Sequence, residues 1–336
     1  MVSSKYHFLL AAALASAALA SPAALATPKH HRFGAFDPVF TPFYANGTLN
    51  LAAVPGYAKW TTDCGTDTII LGGSTGEWPS MTSTERLATL RAWRTAIDAL
   101  PPRTPPLSAK PIILFHAGDV ALERAVTLAS EAAAYADQLL VVAPCIMRPA
   151  DNTMLTRVIG MVAAAAPKLP VWYYFYPKLY NVALPITPFL AAASKAIGGI
   201  PNLAGVKFID SINSTDLANA TTLLDRKYEL ITTSLLAGLE RGLRGAIAYT
   251  AQAPFVNNAT RAFIGGDRAS AATLDNRSHA LLEAFKASGS TKMGARYSSA
   301  LFAPDLDLGP PRLPLEPLKP AQVATMKAAL IAGGFL

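Results

Sequence analysis

After about residue 32, short apolar runs alternate along the chain with longer stretches in which apolar positions recur at helical spacing. Several of the short runs have no polar break, such as Ile112-Ile113-Leu114-Phe115. Uninterrupted apolar strands are typical of a parallel sheet that is buried on both faces. The pattern predicts strands at Gly34–Phe43, Thr66–Gly72, Pro111–His116, Gln138–Ala143, Val171–Tyr176, Ala204–Ile209, Glu229–Thr233 and Ala246–Thr250.

Helical stretches separate most of these strands. In the first of them, Glu85 follows Thr82 at the spacing of a capping box. The predicted crossover helices are Thr82–Ala99, Asp119–Ala136, Asn152–Ala166, Thr187–Ile197, Ser214–Leu224 and Ser234–Leu243. This alternation favours a (β/α)8 TIM barrel over residues 33–252. A doubly wound open sheet is the alternative, but it would need a glycine signature after the first strand, and the sequence has none there.

Helical patterns continue beyond the eighth predicted strand, from Asn258 to Ala287 and from Pro320 to Ile331. A proline-rich link at Gly309–Pro314 separates them. We therefore expect residues 253–336 to form a C-terminal helical extension of the barrel.

The composition is that of a globular chain. Hydrophobic residues make up 51% of the 336 residues and charged residues 15%, which excludes a disordered chain. The formal charge is +7, but the basic residues are scattered, which indicates a solvated surface and no nucleic-acid partner. Cys64 and Cys145 have no Cys or His neighbour at metal-ligand spacing, so no metal site is predicted.

Residues 1–26 have the layout of a secretory signal peptide. Lys5 and His7 precede an apolar stretch at Phe8–Ala20, which is short for a membrane span, and small residues follow up to Ala26. An organelle transit peptide is the alternative, although the first arginine is Arg32. Entry into the secretory pathway is also favoured by five Asn-X-Ser/Thr sequons, at Asn46, Asn213, Asn219, Asn258 and Asn276. After removal of the signal peptide, no membrane association is expected.

Three predicted strand ends carry residues that suggest chemistry, because active sites of this barrel type lie at the C-terminal ends of the strands. Lys207 interrupts the apolar run Ala204–Ile209, where burial would lower the pKa of its amine and supply a nucleophile for a carbonyl. The alternative is a lysine at a frayed strand end that extends to water.

The other two strand ends are a glycine-rich turn and an aromatic run. Gly72-Gly73-Ser74-Thr75-Gly76-Glu77 could offer backbone and hydroxyl donors to a carboxylate, or it could be an ordinary turn. In Trp172–Pro177, strand alternation places Tyr174 on the same face as Trp172 and Tyr176. Such a tyrosine could move protons near a reactive lysine, or it could be a core aromatic.

Together these motifs resemble the N-acetylneuraminate lyase and dihydrodipicolinate synthase superfamily, over residues 33–335, and animal-type N-acetylneuraminate lyases most closely. The resemblance implies that Lys207 forms an imine with pyruvate and that Tyr174, tuned by Thr75, moves protons. It also implies that Ser74 and Thr75, beside Gly73, hold the pyruvate carboxylate. No metal or organic cofactor is implied, and relatives of this kind are usually homotetramers.

The sequence departs from the sialic acid lyases in the residues that meet the rest of the substrate. Their Asp-Glu pair after strand seven corresponds to Thr232 and Thr233, and a serine or threonine after strand eight corresponds to Tyr249. A hydroxyl residue two positions after the lysine is Ile209 here. The arginine of the synthases, five residues after the tyrosine, is Leu179. We expect Thr232, Thr233 and Tyr249 to contact the substrate.

The sequence therefore predicts a class I, Schiff-base lyase that cleaves a 2-keto-3-deoxy sugar acid, such as N-acetylneuraminate, to pyruvate and an aldehyde. Its partner would be a small keto acid. A secreted, non-catalytic paralogue that binds a keto acid or sugar acid is the alternative. A dihydrodipicolinate synthase is disfavoured by Leu179.

Overall fold

The computed structural model describes residues 34–103, 110–222, 227–243 and 245–336. Eight parallel strands form one sheet in the order β7-β6-β5-β4-β3-β2-β1-β8. A parallel bridge between Thr232 and Ala246 joins the end of β7 to β8, so the sheet is a nearly closed barrel. The predicted TIM barrel is confirmed. Its strands are β1 (Gly34–Pro38), β2 (Thr68–Leu71), β3 (Ile112–His116), β4 (Gln138–Val142), β5 (Val171–Phe175), β6 (Leu203–Phe208), β7 (Glu229–Ile231) and β8 (Gly245–Ile247).

Side chains alternate between the barrel interior and the helical layer, as the pleat of a strand requires. Inward-facing residues such as Phe36, Leu114, Trp172, Tyr174 and Ile231 form one buried cluster. Outward-facing residues of the same strands join a larger core beneath the helices. Because both faces are buried, the strands have the near-continuous apolar sequence from which they were predicted.

The helices cover the outside of the barrel. All six predicted crossover helices appear close to their expected positions, and a helix at Val54–Asp63 between β1 and β2 was not predicted. The helices before β8 are α1 (Val54–Asp63), α2 (Ser83–Ala99), α3 (Leu122–Ala132), α4 (Asn152–Ala164), α5 (Pro177–Tyr180), α6 (Ile186–Ala193), α7 (Thr215–Thr222) and α8 (Leu235–Glu240).

Beyond β8, the predicted helix Asn258–Ala287 is two helices, because Gly266 takes a positive φ of 86° and Asp267 caps the second. The later helices are α9 (Ala253–Ile264), α10 (Arg268–Lys286), α11 (Thr291–Phe302) and α12 (Pro320–Ala332). Val256 and Ala259 of α9 pack in one buried cluster with Ala35 of β1 and Ala246 of β8. Helix α9 is therefore the eighth helix of the barrel layer, although the predicted boundary assigned it to the extension.

No helix in the described part of the chain is long and apolar enough to cross a membrane. The proposed signal peptide, residues 1–26, lies outside the described residues.

Candidate active site

A cavity of about 760 Å³ opens at the C-terminal ends of the strands. Lys207 and Tyr174 line it from the barrel, and the turn after β2 contributes Ser74 and Thr75. Helices α10 and α11 also reach it, so the C-terminal extension forms part of the wall. A cavity of this size at this end of a barrel is where an active site is expected.

Lys207 lies on β6 and points into the barrel, where its side chain is buried. Its backbone pairs with Tyr174 on β5 and with Ile231 on β7. Desolvation by burial lowers the pKa of the Lys207 amine from 10.5 to about 7. A large fraction of the amine is therefore neutral near pH 7, which is the form that attacks a carbonyl carbon.

Tyr174 is in direct contact with the lysine. The Lys207 Nζ lies 4.2 Å from the centroid of the Tyr174 ring. The Tyr174 hydroxyl hydrogen-bonds the Ser74 hydroxyl at 3.1 Å. Burial raises the pKa of Tyr174 above its ordinary value, so the phenol stays protonated at neutral pH. A protonated phenol beside a neutral amine can donate a proton to a reacting oxygen, or pass on a proton that this oxygen releases.

The turn after β2 brings Ser74 and Thr75 to the cavity. Gly72 takes a φ of 71°, and a Cβ on Gly76 would lie 3.1 Å from the backbone of Gly72, so the tight turn requires glycine there. Gly73 is buried behind the cavity wall, and its carbonyl accepts from the Trp78 amide at 3.4 Å. The hydroxyl that contacts Tyr174 is that of Ser74, whereas Thr75 was expected to tune this tyrosine.

Residues of the extension hold this turn in place. Glu77 takes a left-handed φ of 61° and pairs with Arg296 of α11 at 3.3 Å, with both side chains buried. Its other oxygen accepts from the Arg312 amide at 2.9 Å. Lys292 of α11 lines the cavity and donates to the Ser74 carbonyl at 3.2 Å.

Of the three residues expected to contact the rest of the substrate, two line the cavity and one does not. Thr233 and Tyr249 line the cavity, and Tyr249 stacks on Phe40 with ring centroids 5.7 Å apart. Thr232 is fully buried and its methyl group faces Gly238 of α8. It faces the helical layer because Ile231 points into the barrel and neighbouring strand residues alternate. Thr232 therefore lies outside the cavity wall, unlike Thr233 and Tyr249.

His116 was not singled out from the sequence. It ends β3 inside the barrel, with its ring 5.3 Å from that of Trp78 and 6.0 Å from that of Tyr174. Arg86 lies 3.3 Å from its Nδ1. Burial lowers the pKa of His116 well below its usual value, so the imidazole is neutral. A histidine that ends an apolar strand is the signal that could have identified it.

Among the residues that the structure describes, no group of three or more His, Cys, Asp or Glu side chains is arranged to hold a metal ion. The predicted strand-end residues Lys207, Tyr174 and Ser74, by contrast, meet around one point of the cavity.

Similar sequences and structures are found among known proteins. The Dihydrodipicolinate synthetase family matches residues 32–332. The chain is 27% identical over 309 residues to N-acetylneuraminate lyase of Sus scrofa, covering 87% of this chain and 90% of that protein. The solved structure of Proteus mirabilis N-acetylneuraminate lyase is 26% identical, with a TM-score of 0.79, over 90% of this chain and 99% of that one.

A Ruminococcus gnavus sialic acid aldolase, solved as a catalytic lysine mutant, shares the fold with a TM-score of 0.80 at 18% identity. It covers 92% of this chain and 98% of that one.

Proposed function

Because the chain belongs to the Dihydrodipicolinate synthetase family, we propose that it cleaves a 2-keto-3-deoxy acid with a C4 hydroxyl to pyruvate and an aldehyde. The chain is a lyase of the aldolase type, and its family works through a lysine–pyruvate imine without a metal or organic cofactor. The observation that carries the proposal is the buried, largely neutral amine of Lys207 in contact with Tyr174.

The reaction follows from this contact. The neutral Lys207 Nζ attacks the C2 keto carbon, and loss of water gives a protonated imine. The C3–C4 bond then breaks, and its electron pair moves into the imine to give an enamine. The Tyr174 hydroxyl relays the proton of the C4 hydroxyl as the aldehyde forms. Protonation at C3 and hydrolysis of the imine release pyruvate and regenerate Lys207.

We propose that Ser74 and Thr75 bind the carboxylate of the keto acid. Both line the cavity beside Tyr174. The side chain of Lys292 adds a positive charge at this turn, because its Nζ lies 3.2 Å from the Ser74 carbonyl. A charged donor close to hydroxyl donors favours an anionic group. The keto acid would therefore lie with its carboxylate toward the turn and its C2 toward Lys207.

Similar proteins are named N-acetylneuraminate lyase, so sugar acids, N-acetylneuraminate first, are the candidate substrates that the relatives suggest. A dihydrodipicolinate synthase is disfavoured by the apolar Leu179, which lines the cavity where an arginine would be required. A non-catalytic binding protein is disfavoured because Tyr174 contacts both Lys207 and Ser74.

Trapping of the imine tests the proposal. Incubation with pyruvate and sodium borohydride should add one reduced pyruvyl group, and peptide mapping should place it on Lys207. The matched control is Lys178→Ala, because Lys178 is exposed and outside the cavity wall. Undiminished labelling of Lys207→Ala, or no labelling of the wild type, would contradict the proposal.

A homotetramer is part of the same proposal. Ile146 and Met147, in the loop after β4, are 69% and 84% exposed in the single chain. Exposed large apolar side chains beside an active site are a feature of surfaces between subunits. Light scattering of the purified protein, and of an Ile146→Asp/Met147→Asp variant, would measure the assembly.

Secretion remains a proposal as well. All five sequon asparagines are exposed, as N-linked glycans require: Asn46, Asn213, Asn219, Asn258 and Asn276. Mass spectrometry of protein from the medium of expressing cells, with and without glycosidase treatment, would test entry into the secretory pathway and removal of residues 1–26.

A further inference from the structure

The residues immediately above the reactive lysine determine which aldehyde fits the site. Lys207 pairs with Tyr174 on one side and Ile231 on the other. Two residues further along each strand, about 6.6 Å toward the barrel mouth, the inward-facing positions are Tyr176, Ile209 and Thr233. All three line the cavity.

Strand β8 continues this layer. The bridge between Thr232 and Ala246 places Ile247 beside Thr233, and Ile247 lines the cavity. We call Tyr176, Ile209, Thr233 and Ile247 the upper layer. Two of its four side chains are purely aliphatic, and the other two each carry a single hydroxyl. The substituent on C4 of the substrate must enter this layer, because C4 is only two carbons from the imine.

Several polar side chains elsewhere on the cavity wall are bonded within the protein or lie close to one another. Gln252 donates to the Ser278 hydroxyl at 3.0 Å and accepts from the Tyr249 amide at 3.1 Å. Glu77 pairs with Arg296. Asp275 and His279 belong to α10, in the extension, and lie 3.9 Å from each other. Asp275 and His279 are therefore on the side of the cavity formed by the extension, whereas the strand ends present the upper layer.

From this layer we infer that the aldehyde half of the substrate is apolar, an aryl or branched alkyl group in place of a polyol chain. The inference rests on the proposed function and specifies its substrate class. Hydroxyls of a polyol that faced Ile209 and Ile247 would lose water without gaining a partner. An aryl or branched alkyl group gains from the same contacts. Tyr249, held flat against Phe40, adds a rigid aromatic wall.

In the synthetic direction, pyruvate and the aldehyde combine without a further reactant. The enamine of pyruvate on Lys207 attacks the aldehyde carbon through its C3, and a C–C bond forms. The aldehyde oxygen takes the proton that Tyr174 relays and becomes the C4 hydroxyl. Water then hydrolyses the imine and releases a 4-hydroxy-2-keto acid with an apolar group at C4.

The test compares aldehydes at saturating pyruvate. We expect kcat/KM for benzaldehyde and isobutyraldehyde to exceed that for glyceraldehyde and N-acetylmannosamine by on the order of 10²-fold, the scale on which apolar pockets discriminate. Borohydride trapping of pyruvate on Lys207 is measured on the same samples. Trapping with a preference for the polyol aldehydes, or with no turnover of either class, would overturn the inference and leave imine formation standing. Absence of trapping would overturn both.

A matched pair of variants isolates the upper layer. Ile209→Thr and Ile209→Val have nearly the same shape and differ by a hydroxyl in place of a methyl group. Ile209→Thr should lower the preference for apolar aldehydes about tenfold relative to Ile209→Val. Trapping of pyruvate by both variants, measured on the same samples, shows that they fold. Equal aldehyde preferences in the two variants would overturn the role of Ile209.

Discussion

Lys207 faces Tyr174 across β5 and β6 because the register between these strands shifts by one residue. Val171 pairs with Leu203, and Trp172 pairs with Gly205, so Ala204 is the extra residue. Without it, Tyr174 would pair with Val206, and Lys207 would point into the helical layer. A one-residue slip reverses the face of every later side chain. The bulge therefore places the amine in the cavity.

Substitution of Gly205 should disturb this register. A Cβ at Gly205 would lie 2.1 Å from the Glu229 carbonyl oxygen on β7, so the strands would have to separate. We expect Gly205→Ala to cost about 1–3 kcal/mol of unfolding free energy, as overpacking does, and to slow pyruvate trapping. The control is Gly160→Ala in the middle of α4, where the added methyl meets its nearest atom at 3.6 Å. Chemical denaturation should show that control to be neutral or stabilising. Equal losses in the two variants would contradict the argument.

The pH dependence of imine formation reports the pKa of Lys207. Burial lowers it to about 7, so the neutral amine forms as the pH passes that value. The rate of trapping by cyanoborohydride should rise between about pH 6 and 8 and then level off. A rate that climbs steadily toward pH 10 would indicate an ordinary lysine. Quenched samples and mass spectrometry give the rates directly.

Tyr174 should act on the bond-breaking step rather than on imine formation. Tyr174→Phe keeps the ring beside Lys207 but removes the hydroxyl that contacts Ser74. We expect trapping to persist and turnover to fall by roughly 10²- to 10⁴-fold, the scale of lost acid–base catalysis. Tyr173→Phe is the matched control, since Tyr173 is equally buried but packs against Phe189 in the helical layer. Wild-type turnover in Tyr174→Phe would make Tyr174 a packing residue.

The fold and the centre of the site could be predicted because they leave local signals. Apolar runs mark the strands, and a lysine in such a run is conspicuous. The predicted ends of the strands were less accurate, because β1 ends at Pro38 and β7 at Ile231, both earlier than expected. Charged partners distant in sequence could not be predicted, such as Glu77 and Arg296, because nothing local links them. Strand alternation separates Thr232 from Thr233, because Ile231 and Thr233 point inward and Thr232 points to the helical layer.

The Glu77–Arg296 pair should contribute to stability as well as to the shape of the turn. Arg296 also donates to the carbonyls of Thr41, Leu308 and Pro310, all within 3.1 Å. Arg296→Met would remove the buried ion-pair partner of Glu77, a loss of roughly 3–5 kcal/mol. Lys286→Met, which removes an exposed partner of Glu283, should change stability by less than ~1 kcal/mol. Urea denaturation of both proteins makes the comparison, and similar midpoints would contradict it.

The upper layer also predicts how the enzyme treats N-acetylneuraminate. Thr233 lines the cavity. In the sequence resemblance described above, this position is acidic in the sialic acid lyases. A charged acceptor strengthens each hydrogen bond to a sugar hydroxyl to about 1.5–3 kcal/mol, which corresponds to roughly tenfold or more in kcat/KM. We expect weak or absent cleavage of N-acetylneuraminate by the wild type, and about tenfold faster cleavage by Thr233→Glu.

Thr232→Asp is the contrasting variant, because its carboxylate would enter the space between the barrel and α8, against Gly238. Burial of an unpaired charge there should lower the stability without improving cleavage. Pyruvate release from N-acetylneuraminate and from five- and six-carbon 2-keto-3-deoxy acids, measured as kcat/KM, separates the two positions. A wild-type preference for N-acetylneuraminate would contradict the prediction, and it would mean that α10 and α11 hold the glycerol chain. Improvement in Thr232→Asp but not in Thr233→Glu would reverse the assignment of the two side chains.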